Sequence, residues 1–303
     1  MGFRDRIRKK QRALKKKMAN PKVRRQGRRF PSIFIKDKIP EGVEFWQCKE
    51  GEHLIDIIPF EVGKNMPLDI SGRPIAEEGE LWHVLDIWVH YNINGNPYVC
   101  PYENFGEPCP ICEYIQANRL PKDIWSKLRP KHRNIYLIWC HDNRKEEKKG
   151  IQIFDVSDFF MGEKLEEIAT LPRGGGYIEY FDIDDGKTIV FTRKGTGMEN
   201  TKYLGHKFID RDEPIPDWVL EQTFPLDEVV QMHPSYEEIE KSFNKMMKNI
   251  GSPTDEEMEV DDEIEDDIPD LDEEPAPWEE ESPKRNERRK PRKVRKNKFR
   301  RRS

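Results

Sequence analysis

Charge is distributed so unevenly along this chain of 303 residues that only its middle can form a conventional core. Residues 1–29 hold 14 lysines and arginines against one acid, and residues 255–281 hold 17 acids and no base. Residues 283–303 hold 13 bases against one acid, so the overall net charge of −5 hides three strongly charged segments. Runs of like charge repel one another and stay hydrated, which favours disorder.

These segments predict four parts: a basic disordered arm over 1–29, a core over 30–250, an acidic disordered segment over 251–282 and a basic disordered tail over 283–303. The alternative, that the arms are only solubility tails, remains open. No apolar run approaches the roughly 18 residues of a membrane span, so no membrane partner is expected. The basic N-terminus lacks the apolar stretch of a secretory signal. Five cysteines, an odd number, then argue for a reducing compartment and against a disulfide framework.

The core is predicted to be mainly β with a few helices, as a barrel or a sandwich. Short apolar and β-branched runs predict strands at 53–60, 82–91, 134–141, 151–155, 176–183 and 187–193. Asp184-Asp185-Gly186 between the last two runs is typical of a hairpin turn.

Two helices stand out from this β pattern. One begins at Ser235, with Glu238 completing a capping box, and its apolar stripe is Ile239, Phe243, Met246, Met247 and Ile250. The other follows Ser157 or Asp158 and is predicted to bury Phe159, Leu165 and Ile168. Both stripes are expected to face the core.

Three cysteines and one histidine have the spacing of a metal site. Cys109 and Cys112 form a Cys-x-x-Cys turn, Cys100 precedes them, and His90 lies before a turn at 94–97 that can bring it back to Cys100. The set His-x9-Cys-x8-Cys-x2-Cys suits one tetrahedral zinc ion with a structural role, because four protein ligands leave no open position. His83 is the rival fourth ligand. Unliganded core cysteines and a redox Cys-x-x-Cys are the other interpretations.

At these residues the chain resembles the helix-destabilising, single-stranded-DNA-binding proteins of T-even-type bacteriophages. The resemblance covers about residues 45 to 250 and is most specific at 90–115. The matching stretches are 54–64, His90, Asn94-Gly95, Cys100, Cys109 to Ile115, 129–142, 187–208 and the acidic segment that follows the core.

The resemblance implies an OB-fold with a zinc-bearing subdomain at about 82–125 and single-stranded DNA in the cleft between them. It implies a non-enzymatic role in phage DNA replication, recombination and repair in the cytoplasm of an infected bacterium. The acidic segment would recruit replication and recombination proteins, and copies would associate cooperatively on DNA. Two departures stand out. The N-terminal arm has no good copy of the family's Lys-Arg-Lys-Ser-Thr-like motif, and the basic stretch 284–302 follows the acidic run.

Binding single strands without sequence preference requires cations for phosphates and aromatic faces for bases. The residues predicted to supply them are Arg129, Lys131, Arg133, Tyr136, Tyr102, Phe105, Arg193, Lys194, Lys202 and Tyr203. Strand alternation means that 129–136 cannot all line one groove. Tyr102 and Phe105 are equally compatible with the core of the zinc module.

The rest of the molecule leaves competing functions and one regulatory expectation. Gly174-Gly175-Gly176 lacks the Lys-Ser/Thr of a phosphate loop, which argues against an enzyme. A zinc-containing RNA-binding protein and an adaptor with charged tails remain alternatives. The acidic run 255–281 is further expected to compete with DNA for the basic surfaces, because its tether gives it a high local concentration.

Overall fold

The computed structural model describes residues 32–197 and 200–250, except for the side chains of residues 249 and 250. The predicted arms at 1–29 and 283–303 and the predicted acidic segment at 251–282 lie outside the described residues. The predictions made for those three segments therefore stay predictions.

A large mixed sheet dominates the described part of the chain. Its eight strands are ordered β1-β8-β7-β2-β9-β10, with β5 added to β7 and β6 added to β5, and β3 and β4 form a separate pair. All the pairs in the large sheet are antiparallel except β1 with β8. The strands are β1 (Glu44–Phe45), β2 (Gly51–Ile58), β3 (Phe60–Glu61), β4 (Leu81–Trp82), β5 (Leu85–Ile93), β6 (Asn96–Val99), β7 (Lys131–Cys140), β8 (Ile151–Ser157), β9 (Lys187–Lys194) and β10 (Lys202–Asp210).

Strand β7 is the branch point of this sheet. One edge of β7 pairs with β8, whereas the other edge pairs with β5 through 131–135 and with β2 through 137–140. Among the described strands no pairing closes the sheet into a barrel, so the OB-fold-like barrel stays a prediction. The prediction of a sheet-rich fold is confirmed.

Helices are more numerous than predicted, although most are short. They are α1 (Pro101–Phe105), α2 (Pro110–Ala117), α3 (Lys122–Leu128), α4 (Arg144–Glu147), α5 (Gly162–Ala169), α6 (Asp217–Leu220), α7 (Leu226–Val229) and α8 (Tyr236–Ile250). Single 3₁₀ turns cover Lys36–Lys38, Asp158–Phe160 and Pro172–Gly174. Within 32–197 and 200–250, no helix has the length and apolar character needed to cross a membrane.

Apolar side chains cover both faces of the sheet, as alternation along β7 makes clear. Ile135 and Leu137 face one core cluster, which also receives the segment 215–232. Tyr136 and Ile138 face a second cluster on the opposite side, closed by α5. A third cluster, called the metal-module cluster below, surrounds Cys100, Cys109 and Cys112.

Helix α8 begins and packs as predicted. The hydroxyl of Ser235 accepts a hydrogen bond from the backbone N–H of Glu238 at 3.2 Å, which confirms the cap. Ile239 and Phe243 are buried in the metal-module cluster, and Met246 and Met247 pack against it. The side chain of Ile250 lies outside the described residues.

The predicted strand at 176–183 is wrong. Its only ladder contact in the described structure is an isolated bridge between Thr170 and Tyr177. The carboxylate of Asp182 accepts hydrogen bonds at 2.8 Å from the backbone N–H groups of both Asp184 and Asp185. Such local bonds compete with a ladder, so 184–186 forms a turn within a loop and not a hairpin.

The second predicted helix is shifted along the chain. The 3₁₀ turn Asp158–Phe160 precedes α5 and places Phe159 outward, whereas the next residue, Phe160, is buried. Leu165 is buried and Ile168 is partly buried, as predicted.

We predict that Phe243→Ala lowers the free energy of unfolding by about 3–5 kcal/mol, because it removes a buried ring between α8 and the metal-module cluster. Urea unfolding monitored by circular dichroism measures this. The control is Glu240→Ala, an exposed position on the same helix, which should change stability by no more than about 0.5 kcal/mol. Equal effects of the two substitutions would show that α8 is not packed as described.

Candidate functional site

A tight hairpin brings the first ligand toward the cysteines. Asn94 and Gly95 both have positive φ, 54° and 80°, which matches the two-residue turn that hairpins prefer. The turn pairs β5 with β6, so that His90 lies opposite Tyr98, and the backbone N–H of Cys100 donates to the carbonyl of Trp88 at 2.8 Å. A turn is thus present where predicted, but it is limited to residues 94 and 95, because Asn96 already begins β6.

The three cysteines sit at the start of two short helices. Cys100 is the N-cap of α1 and its sulfur accepts from the backbone N–H of Glu103 at 3.4 Å. Cys109 is the N-cap of α2, whose first turn contains Cys112. Prolines 101 and 110 occupy the first position of each helix, where a missing N–H costs nothing. Helix N-termini favour negative charge, so this placement stabilises thiolates.

The four ligand side chains converge on one buried point. Their ligand atoms all lie within 4.8 Å of one another. The Sγ atoms of Cys100 and Cys112 are 3.5 Å apart, and Nε2 of His90 lies 3.5 Å from the sulfurs of both Cys109 and Cys112. A tetrahedron with metal–sulfur bonds of about 2.3 Å has edges of about 3.8 Å. The spacing therefore fits a single metal ion.

The second ring nitrogen of His90 forms a hydrogen bond with the backbone. Its Nδ1 lies 2.8 Å from the carbonyl oxygen of Leu128, at the end of α3. A carbonyl can only accept, so Nδ1 carries the proton and Nε2 presents its lone pair to the sulfurs. Backbone support of this kind is typical of histidines that bind metals.

Ionisation of the three thiols is mutually coupled. The hydrogen bond with Cys109 raises the pKa of Cys100 to about 12. Hydrogen bonds with Cys100 and Cys109 raise the pKa of Cys112, whereas those with Cys100 and Cys112 lower the pKa of Cys109. Without a cation, a single thiolate is stabilised at the expense of its neighbours. A divalent cation at the centre would remove this conflict, because it stabilises all three thiolates together.

His83, the rival ligand, lies elsewhere. Its ring stacks on Phe181 with centroids 4.0 Å apart, and burial lowers its pKa to about 4. Cys140 is buried and Cys48 half-buried, and neither belongs to the cluster. The four residues at the metal centre are those that the sequence spacing predicts.

Several predicted nucleic-acid contacts are exposed around this centre or at the far end of the sheet. Tyr102 on α1 is 44% exposed. Phe105 is half-buried, with its ring 4.2 Å from that of His233. Lys194 and Lys202 are exposed and lie opposite each other where β9 meets β10. The structure thus separates the two lysines from the metal module.

Four predicted contacts are enclosed instead, and the roles predicted for them do not fit the structure. Tyr136 is 2% exposed, and Tyr203 stacks between Phe160 and Phe191. Arg193 is buried, and buried Arg133 forms an ion pair of 2.8 Å with Asp155. The physical reason is that Tyr136 and Tyr203 both pack in the core cluster closed by α5, whereas Arg133 is paired with a carboxylate on the neighbouring strand β8.

The structure also reveals a surface that sequence reasoning missed, here called the ring–cation row. It consists of three aromatic rings, each covered by a cation. The guanidinium of Arg129 lies 5.0 Å from the ring of Trp125, the ring of His132 lies 4.3 Å from that of Trp88, and the ammonium of Lys164 lies 5.4 Å from Phe159.

Neighbouring elements of the fold carry the three pairs. Trp88 and Trp125 both pack against the metal-module cluster, and His132 contacts Asp158, the residue before Phe159. Trp88, Trp125 and His132 are half-buried, and Phe159 is exposed. Arg129 belongs to the predicted set, and Lys131, partly buried, begins β7 next to His132. The pairing of Trp88 with His132 depends on strand register, which spacing alone does not provide.

Comparison with models of known protein families and with curated proteins gives no match for this chain.

We predict that Cys112→Ser lowers the bound metal from one ion per chain to a small fraction, because one of four ligands is lost. Structural metal contributes directly to folding, so the melting temperature should fall and residues 90–115 should become sensitive to protease. Elemental analysis and limited proteolysis measure both effects. Cys48→Ser, which changes a thiol outside the cluster, is the matched control. Wild-type protein without stoichiometric metal after gentle purification would contradict the assignment.

Proposed function

We propose that this chain is a zinc-containing single-stranded-DNA-binding protein of the T-even-phage type, with no catalytic activity. The ring–cation row beside the metal centre carries the proposal. Every base has a π face and every nucleotide a phosphate, so alternating rings and cations bind single strands with little sequence dependence. The resemblance at residues 90–115 supports the same conclusion.

Zinc is the metal that we assign to the centre. Three thiolates and one imidazole form a soft to borderline donor set, which zinc prefers over magnesium or calcium. Four protein ligands leave no position for substrate, so the ion would stabilise the module and take no part in chemistry. His90, Cys100, Cys109 and Cys112 would hold it.

We further propose that the open sheet is an OB-like fold, since OB-folds are partly open Greek-key barrels that bind oligonucleotides. The bound single-stranded DNA would lie along the ring–cation row, between the metal module and the face of the sheet covered by α5. Arg129 and Lys131 would contact phosphates, Tyr102 and Phe105 would stack on bases, and Lys194 and Lys202 would contact the same DNA strand farther along.

The acidic segment would recruit replication and recombination proteins, and the basic arms would support cooperative association in the host cytoplasm.

We expect the full-length protein to bind oligo-dT more tightly than duplex DNA at matched salt. Fluorescence titration against oligo-dT, oligo-U and a duplex of equal length measures this. Equal affinity for the duplex would contradict the proposal, and preference for oligo-U would favour an RNA-binding protein. Binding to none of the three would favour the adaptor alternative.

We expect Tyr102→Ala to weaken oligo-dT binding by about 1–3 kcal/mol, the usual contribution of one stacked base. Arg129→Ala should weaken binding to every sequence and reduce the salt slope by about 0.7, the value for one phosphate contact on a single strand. Tyr177→Ala and Lys145→Ala remove an exposed ring and an exposed cation outside the row, and both should bind like wild type. Equal losses in all four variants would indicate a nonspecific charge or stability effect.

A further inference from the structure

Both ring nitrogens of His132 are engaged by carboxylates. Nδ1 lies 3.0 Å from Oδ2 of Asp158, and Nε2 contacts Oδ1 of Asp86. An ionised carboxylate only accepts hydrogen bonds, so each ring nitrogen must carry a proton. The contacts therefore describe an imidazolium held at both of its N–H edges by two different elements, β5 and the 3₁₀ turn Asp158–Phe160.

The plane of this imidazolium is parallel to that of a tryptophan. The rings of His132 and Trp88 are 4.3 Å apart with an angle of 4° between their planes, and the two residues are direct cross-strand partners in β5 and β7. Buried Asn104 fixes the backbone of Trp88 from the other side: it donates from Nδ2 to the carbonyl at 2.9 Å and accepts from the N–H at 3.0 Å. The His132 ring cannot tilt without breaking its two contacts with carboxylates, and the backbone that carries Trp88 is held by Asn104.

The groups that remain available to a ligand are π faces and not N–H donors. Both N–H edges of His132 are already bound to carboxylates, and two carboxylates beside them would repel a phosphate. The side chain of His132 is nevertheless 30% exposed. A flat aromatic group such as a nucleobase carries no charge and is not repelled by the carboxylates. The cationic ring of His132 attracts the π electrons of a base stacked on the pair.

We propose that Asp86 and Asp158 are positioning residues that hold His132 flat on Trp88, and that this pair is a preorganised platform for stacking one nucleobase of a bound single strand. The inference rests on the proposed function and names the place in the row where a base, and not the backbone, is recognised. Preorganisation matters because an ordered platform does not lose side-chain entropy on binding.

The platform has a defined pH range. Burial lowers the pKa of His132, but Asp158 and Asp86 outweigh it and raise the pKa to about 9. The charged groups that act on the ring are Asp86 from β5 and Asp158 from the 3₁₀ turn. Because the pKa is raised to about 9, His132 stays protonated at neutral pH, and the clamp formed by its two carboxylate contacts is lost as the pH rises through about 9. The stability that this clamp contributes to the fold is full below about pH 6.5, the ordinary pKa of histidine, and is lost over the same rise.

His141 is a matched internal control. It also pairs with carboxylates, Asp56 at 3.0 Å and Glu147 at 3.7 Å, and these raise its pKa against the effect of burial. Its ring meets Trp139 edge-on, at 64°, and therefore offers no parallel stack. Each histidine contacts two carboxylates, but only His132 lies parallel to a tryptophan ring.

The test follows both histidine rings by NMR in the full-length, zinc-loaded protein during titration with oligo-dT. The His132 ring protons should move upfield on binding, because a stacked base shields them, and those of His141 should not. Asp158→Asn should lower the titration midpoint of His132 and weaken oligo-dT binding at least about fivefold, the lower end for one stacked base. Glu147→Gln should lower the midpoint of His141 and leave oligo-dT binding unchanged.

The outcomes separate this inference from the proposed function. Oligo-dT binding with no change at His132, or an Asp158→Asn variant with a lowered midpoint and full affinity, overturns the platform and leaves the function intact. Absence of oligo-dT binding by the wild type overturns both. If Asp158→Asn fails to fold, the wild-type shifts and the pH profile of affinity decide. A loss of affinity centred near pH 9 supports the platform, and a flat profile from pH 7 to 9.5 contradicts it.

Discussion

The convergence of three cysteine sulfurs and one imidazole at a single buried point is the constraint on which one side of this molecule depends. Thiolates brought this close in the interior are unfavourable without a compensating cation. The hairpin β5–β6 and helices α1 and α2 are each placed by a ligand, and α8 packs on the result through Ile239 and Phe243. We therefore expect the stability of this module to depend on a bound metal ion.

Strand β5 connects this module to the surface proposed to bind DNA. His90 and Trp88 are two residues apart, so both side chains lie on the same face of the strand. One points into the metal centre and the other supports His132. The carbonyl of Leu128, which orients His90, closes α3, and that helix carries Trp125 beneath Arg129. Metal binding and the geometry of the row thus share the same backbone.

Local patterns predicted much of the metal centre and little of the surface beside it. Ligand spacing, the Asn94-Gly95 turn and the Ser235 cap are encoded within a few residues, and all three are found in the structure. The Trp88–His132 pair depends on strand register across 44 positions of sequence, which no local pattern contains. Tyr136 and Tyr203 resembled stacking residues, yet both are buried in the core cluster closed by α5.

Photo-crosslinking tests most directly whether the ring–cation row contacts single-stranded DNA. Oligo-dT containing a photoreactive thymine analogue is bound to the full-length protein, irradiated and mapped by mass spectrometry. Adducts should fall at Trp88, Trp125, His132 or Phe159, and they should diminish when zinc is removed by a chelator, because the scaffold that aligns these rings is then lost. Adducts confined to residues 1–29 and 283–303, unchanged by the chelator, would contradict the account and assign DNA binding to the basic arms alone.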